Sequence, residues 1–341
     1  MIAVAADMPE EQPEAPRVGL VLGAGGAVGA AYHAGALAAL EHDLGWDARR
    51  AAVVLGTSAG SLVGALLRRG VPSTDLAALT VGADAQYASP HIVESFRERL
   101  PFRPMGIRDL IGSPNLPSLA AVVGIAKLTA KQRAVPFSSL SMLLPEGRED
   151  LAPQLAFLDV VGDHRWPDET LLISAVRRRD WRRTIFGSTR PTPPLSAALA
   201  ASCAVPGYFA GVKIGGDTYL DGGAISATNA DVLAHHDVDL VIVISPMTGA
   251  ARWPSASQLV RRLCRRTLDQ ELRALRRRGI PAVVIEPGAD VLRHMSMQFM
   301  SEEASIEIVQ SAFLDTGAQI ARNPVLAALA GLQRRRIAFA S

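Results

Sequence analysis

The stretch Leu55-Gly56-Thr57-Ser58-Ala59-Gly60 constrains this chain more than any other. An apolar run from Ala51 to Leu55 feeds into Gly-x-Ser-x-Gly, and helix formers follow at once. That order describes a nucleophile elbow, a sharp strand-to-helix turn holding one serine at its apex. Glycines at 56 and 60 suit a backbone too strained and closely packed for side chains. A helix opening just after Ser58 aims its N-terminal amides and positive dipole end toward the serine oxygen. The same spacing also arises by chance in glycine- and alanine-rich chains, so the neighbouring segments decide what it means.

With 341 residues the chain can bury one large α/β core or two small ones. A hydrophobic content of 49% against 20% charged residues describes a globular protein. The net charge of +2 provides no general attraction to nucleic acid. Cys203 and Cys264 lie far apart and form neither a metal-ligand spacing nor a disulfide framework. A reducing, cytoplasmic setting without a metal is therefore expected. Residues 1–16 lack the basic and apolar regions of a signal peptide and read as a disordered leader. No apolar run reaches the about 18 residues of a spanning helix, so the expectation is a protein that is soluble or peripheral on a membrane.

Val18 to Leu22 reads as a buried parallel strand, followed by the glycine-rich turn Gly23 to Gly29. A helix is expected over Ala30 to Glu41, with Val28, Tyr32, Ala36 and Leu40 on one face. Such a turn offers free backbone N–H groups to an anion, and two chemistries use it. A nucleotide-binding oxidoreductase wants Gly-x-Gly-x-x-Gly, but Val28 stands where the third glycine belongs and Gly29 comes one place late. Asp43 remains available as a ribose acid, so that reading stays open. The other use is an oxyanion hole for acyl transfer. With a helix over Ser61 to Arg69, the chain begins strand, glycine loop, helix, strand, serine elbow, helix, as a parallel sheet does.

Prolines recur through 88–150, which reads as a cap insertion, either packed on the sheet or mobile over an apolar substrate. Strands are then expected at Leu155 to Val161 and Leu171 to Val176, with a polar connection from Arg177 onward. A helix over Leu195 to Ala204 precedes a hairpin that delivers Asp221 at a strand end, followed by Gly222 and Gly223. Further strands fall at Val238 to Ile244 and Pro281 to Ile285, and Ser301-Glu302-Glu303 opens a final helix. Ser255 to Arg278 reads as an amphipathic helix with Leu263, Leu268, Leu272 and Leu275 inward. Arg261, Arg262, Arg265, Arg266, Arg273, Arg276 and Arg277 point outward in that reading, diluted by Asp269 and Glu271. Such a face either lies on anionic lipid or is merely solvated. The expected organisation is a leader at 1–16, a catalytic domain at 17–290 and a helical extension at 291–341.

Ser58 needs a base, because a serine hydroxyl is a poor nucleophile at neutral pH. An α/β-hydrolase would supply a Ser-His-Asp triad, with His294 the best-placed histidine. Its elbow, however, normally follows several strands, and nothing around His294 reads as a glycine-held loop. Asp221, on a strand end and flanked by glycines, suits a Ser–Asp dyad better.

The glycine loop, the early Gly-Thr-Ser-Ala-Gly and the late Asp-Gly-Gly, in this order, resemble the patatin-like phospholipases. So do Leu20-Val21-Leu22-Gly23-Ala24-Gly25-Gly26 and Ala201-Ser202-Cys203-Ala204-Val205-Pro206, and the likeness runs from Val18 to Ser245. It implies an α/β three-layer sandwich with a mainly parallel central sheet flanked by helices. It further implies a Ser–Asp dyad acyl hydrolase acting on lipid substrates without calcium, and no cofactor is expected. Ser58 then matches the nucleophile, Asp221 the activating carboxylate, and Gly25 and Gly26 the oxyanion hole. Gly23, Gly29, Gly56, Gly60, Gly222 and Gly223 match the supporting glycines. Val28 departs from the arginine that many members carry, which bears on head-group preference and leaves a backbone-amide hole intact.

Overall fold

Three short apolar runs, Val18–Leu22 (β1), Val53–Thr57 (β2) and Leu240–Ile244 (β7), are buried at every position. Continuous apolar strands of this kind belong to a sheet covered on both faces. A computed structural model, describing residues 16–98, 147, 149–249, 256–295, 303–326 and 329, shows that sheet. Its other strands are Thr170–Arg177 (β3), Arg182–Phe186 (β4), Val212–Ile214 (β5), Asp217–Asp221 (β6) and Ala282–Ile285 (β8). The order is β5-β6-β3-β2-β1-β7-β8, with β4 also pairing β3. From β3 to β8 every neighbouring pair is parallel, whereas β4, β5 and β6 pair antiparallel.

Helices cover both faces. Those of eight or more residues among the described residues are Gly26–Leu44 (α1), Ala59–Arg68 (α2), Ser73–Thr80 (α3), Pro90–Glu98 (α4), Leu195–Cys203 (α5), Ala256–Arg277 (α6) and Ser305–Arg322 (α7). Because strand side chains alternate, Leu20, Leu22, Ile242 and Ile244 enter one core with α1, α2, α5 and α7. Val21, Val241 and Val243 enter a second core with α6 and the 3-10 helix Ala230–His235. The result is the expected three-layer, mainly parallel α/β sandwich.

Several local readings change. Residues 155–161 are helical, at Ala152–Leu155 and Phe157–Val161, because Leu155 and Leu158 turn one buried face toward α5. A short apolar run cannot by its period distinguish strand from helix. The arginine-rich connection after β3 is a hairpin, with β4 pairing back from Ile173↔Phe186 to Arg177↔Arg182. Helix α1 begins at Gly26, so the second half of the glycine run is already helical. On α6, Arg261 and Glu271 are buried rather than outward, and Leu263 is only half-buried. Most of the 88–150 insertion and nearly all of the 1–16 leader lie outside the described residues.

Helix α7 contributes Ile308, Val309, Ala312 and Ile320 to the larger core, against α1. The approach depends on Gly35: a Cβ there would run into the Val309 carbonyl oxygen and come within 2.9 Å of the Ala312 methyl. Backbone cannot give way as a flexible side chain can. Gly35→Ala is therefore expected to destabilise the protein by about 1–3 kcal/mol. Urea denaturation measures this, and an unchanged midpoint would contradict the packing described.

Candidate active site

Strand β3 explains why Ser58 and Asp221 meet. Ser174 pairs with Thr57 of β2 and Ile185 of β4, and Ala175 pairs with Asp221 of β6 and Thr184 of β4. A strand residue has only two edges, so β2 and β6 share the edge of β3 opposite β4. Parallel β2 leaves that edge at Thr57, while antiparallel β6 ends at Asp221 one position further along. The C-terminal ends of the two strands thus face each other.

At the end of β2 the chain turns abruptly into α2, and Ser58 takes φ 53° and ψ −122°. Such backbone costs about 1–3 kcal/mol and persists only where its surroundings enforce it. Gly60 is part of that enforcement: its Cα lies so near Leu22 that a Cβ would overlap the Leu22 carbonyl. A Cβ on Gly56 would likewise strike the Ser61 backbone. The Ser58 N–H donates to Ser202 Oγ at 2.9 Å, and Ser61 Oγ donates to the Ser58 carbonyl at 2.6 Å. The Ser58 side chain thereby projects from a turn locked on both sides.

Asp221 is 4% exposed. Its carboxylate accepts the Gly223 N–H at 2.6 Å, and its own N–H donates to the Ala204 carbonyl at 2.9 Å. Burial pushes its pKa up to about 7, opposed by the Gly223 N–H and by the Ser58 hydroxyl, which lies within its reach. Cys203 borders both groups. Burial, reinforced by the Asp221 charge, raises its thiol to about 12, so it stays protonated beside the pair.

The glycine loop joins β1 to α1. Gly23 N–H donates to the Ile244 carbonyl at 3.0 Å and Ala24 N–H to the Ala227 carbonyl at 2.7 Å. Among the described residues, no acceptor takes the N–H of Gly25 or Gly26. Gly26 has φ 62° and opens α1, where the helix dipole also favours negative charge. The loop adjoins the elbow through Gly60, which sits against Gly23, and the aspartate turn through Gly223, which faces Ala24. Gly29 donates to the Gly25 carbonyl at 2.9 Å, and Pro246 packs on both glycines. Gly222 backs onto Ser174. Val28 is buried in the core.

All the glycines, the serine and the aspartate selected from the sequence thus lie around one locus. His294 does not: it is exposed at the end of the helix Ala289–His294, whereas Ser58 and Asp221 are buried. The histidine that does contribute is His33, whose Nε2 lies 2.7 Å from the Gly23 carbonyl. Burial lowers its pKa to about 4, so at neutral pH it is uncharged and donates that bond, steadying the loop. Sequence reasoning passed over His33 because it precedes the serine, and gave Ser202 no role although its motif was noted. Asn229, at φ 55°, was also missed; its Nδ2 reaches Thr57 Oγ1 at 3.1 Å and Ser174 Oγ at 3.2 Å. Among the described residues there is no group of three or more His, Cys, Asp or Glu side chains able to hold a metal ion. No described helix is long and apolar enough to cross a membrane.

Residues 20–234 match the family model described as patatin-like phospholipase. No curated protein matches the chain. Among solved structures it is similar to VipD from Legionella pneumophila, at 13% identity and TM-score 0.41, covering 89% of this chain and 66% of that one. It is similar to human GIVD cytosolic phospholipase A2 in complex with methyl gamma-linolenyl fluorophosphonate, at 14% identity and TM-score 0.40, covering 94% and 60%. It is also similar to the heterodimeric ExoU–SpcU complex of the Pseudomonas aeruginosa type III secretion system, at 18% identity and TM-score 0.32, covering 96% and 60%. The chain therefore spans 60 to 66% of the length of these structures.

The buried carboxyl makes stability depend on pH in a defined direction. With its folded pKa raised from 3.8 to about 7, Asp221 disfavours the folded state once it ionises. Its contribution is fully present below pH 3.8 and is lost as pH rises through about 7. Asp221→Asn keeps an acceptor for the Gly223 N–H and removes the buried charge. The variant is expected to melt above the wild type at pH 8, by a few kcal/mol, and to lose that advantage near pH 4. Thermal melts across this range check it, and a variant less stable at pH 8 would refute it.

Proposed function

The chain belongs to the patatin-like phospholipase family, and we propose that it is a serine-dependent lipid acyl hydrolase working through a Ser58–Asp221 dyad. The observation that carries this reading is the meeting of β2 and β6 on one edge of β3, which sets a strained serine beside a buried carboxyl. The substrates are carboxylic esters of phospholipids, lysophospholipids or related lipids.

In the proposed reaction the ionised Asp221 carboxylate takes the Ser58 proton as Oγ attacks the ester carbonyl carbon. The carbonyl oxygen becomes an oxyanion and accepts the free N–H groups of Gly25 and Gly26, beside the N-terminus of α1. Collapse of the tetrahedral intermediate breaks the ester C–O bond, and the proton held by Asp221 passes to the leaving alcohol. Water, deprotonated by Asp221 in its turn, then releases the fatty acid and restores Ser58. A carboxyl with a pKa of about 7 is matched to this work, since a general base is most effective near the working pH. A histidine is not required: His33 is uncharged with its Nε2 committed to Gly23, and His294 is exposed.

Two measurements test the proposal. Ser58→Ala should abolish turnover of a p-nitrophenyl acyl ester and labelling by a fluorophosphonate, with an unchanged melting temperature; an active variant would end this reading. Wild-type kcat/KM should rise with pH through about 7, as Asp221 loses its proton. A profile flat from pH 5 to 9 would remove Asp221 as the base.

A further inference from the structure

The loop at residues 226–230 touches all three parts of the candidate site. It follows Asp221 after the single 3-10 turn Gly222–Ala224. Its Ala227 carbonyl accepts the Ala24 N–H at 2.7 Å, immediately before Gly25 and Gly26. Its Asn229 amide donates to Thr57 Oγ1, immediately before Ser58, and to Ser174 Oγ on β3.

The loop bonds in part to itself, Asn229 Nδ2 donating to the Ser226 carbonyl at 2.8 Å, but its buried Ser226 and Thr228 hydroxyls and the Ala230 N–H need an acceptor. The anchor comes from outside it. Glu271, on the inner face of α6 and 5% exposed, accepts Ser226 Oγ and Thr228 Oγ1 at 2.5 Å each and the Ala230 N–H at 2.9 Å. Ser226 Oγ in turn accepts the Thr228 and Asn229 N–H groups, both at 3.2 Å. Glu271 thus takes three of the loop's donors directly and, by orienting Ser226 Oγ, helps to place two more. The same helix supports the other side of the glycine loop: buried Arg261 donates to the Pro246 and Thr248 carbonyls at 2.7 and 2.8 Å, and Pro246 packs on Gly25.

Resting on the dyad reading above, we propose that Glu271 is a positioning residue for the reaction. It acts through the 226–230 loop to hold the Gly25 and Gly26 amides in register with Ser58 and Asp221. It touches no reacting atom. Its effect should fall on the transition state, where the oxyanion forms, and leave ground-state binding of the ester nearly unchanged.

The test compares Glu271→Ala, Glu271→Gln and, as a control from the exposed face of the same helix, Arg273→Ala. Each is assayed for kcat and KM on a p-nitrophenyl ester and for amide hydrogen exchange at Ala24. Glu271→Ala is expected to lower kcat about 10²-fold, as a displacement of about 1 Å in a catalytic group does, with KM almost unchanged and faster Ala24 exchange. Glu271→Gln, which still accepts Thr228 and Ala230 and can donate to Ser226, should recover most of the rate. Arg273→Ala should match the wild type. A folded Glu271→Ala protein with wild-type kcat and wild-type exchange at Ala24 overturns the proposal, as does a rise in KM at constant kcat. Should Glu271→Ala fail to fold, Thr228→Val replaces it, and a kcat and exchange rate equal to wild type there overturn the proposal equally. If the wild-type protein hydrolyses no ester, the dyad reading fails, and exchange at Ala24 judges the role of Glu271 independently.

Discussion

Everything at the candidate site depends on the pairing of β3 with two strands along one edge. Along that edge β3 pairs first with parallel β2, as far as Ser174, and then with antiparallel β6, from Ala175 onward. β6 enters from the opposite direction and stops at the end of β2, which puts the Asp221 residue next to the elbow. The hydrogen-bond register fixes this arrangement, and a shift by one residue would turn the Asp221 side chain to the other face. The supporting contacts follow from the register: Ser202 under Ser58, Ala204 under Asp221, and Ser174 beneath Gly222.

The same burial that shapes the site sets its electrostatics. A carboxyl, an imidazole and a thiol lie together in an environment that disfavours charge, and each shifts toward its neutral form. For His33 and Cys203 this is passive: one becomes a hydrogen-bond donor, the other an inert neighbour. For Asp221 it produces a group balanced between its two protonation states near neutral pH. At Glu271 burial likewise raises the carboxyl, opposed by the hydrogen bonds from Ser226, Thr228 and the Ala230 N–H, which favour its ionised form. Buried acids in this fold are thus tolerated only where the backbone and hydroxyls close around them.

Much of this was legible in the sequence because the chemistry of the site is local. Gly-x-Ser-x-Gly after an apolar run dictates a turn, and the glycines beside Asp221 are needed wherever backbone must pass close by. Strand order and edge sharing have no local signature. The arginines of β4 hid an edge strand whose side chains are largely not buried, so it read as a polar connection. Leu155 to Val161 was too short a run for its period to be decisive. Glu271 was legible in principle: it lies three residues after Leu268 and four before Leu275, on the face those leucines bury. Its charge argued for the opposite face. What defeated that expectation was the presence of Ser226, Thr228 and the Ala230 N–H, which only the folded chain brings to it.

The strained backbone of Ser58 carries one more consequence. The elbow holds its shape only while Gly60 rests on the Leu22 carbonyl and Ser202 accepts the Ser58 amide, and the carboxyl arrives only when β6 has docked. These contacts join segments from the beginning, the middle and the later part of the chain. A partly collapsed molecule with native helices but unpaired central strands contains a serine of ordinary reactivity. Under the proposed dyad, nucleophilicity at Ser58 is then a collective property of the completed fold, and its residual level during denaturation counts the fully native molecules.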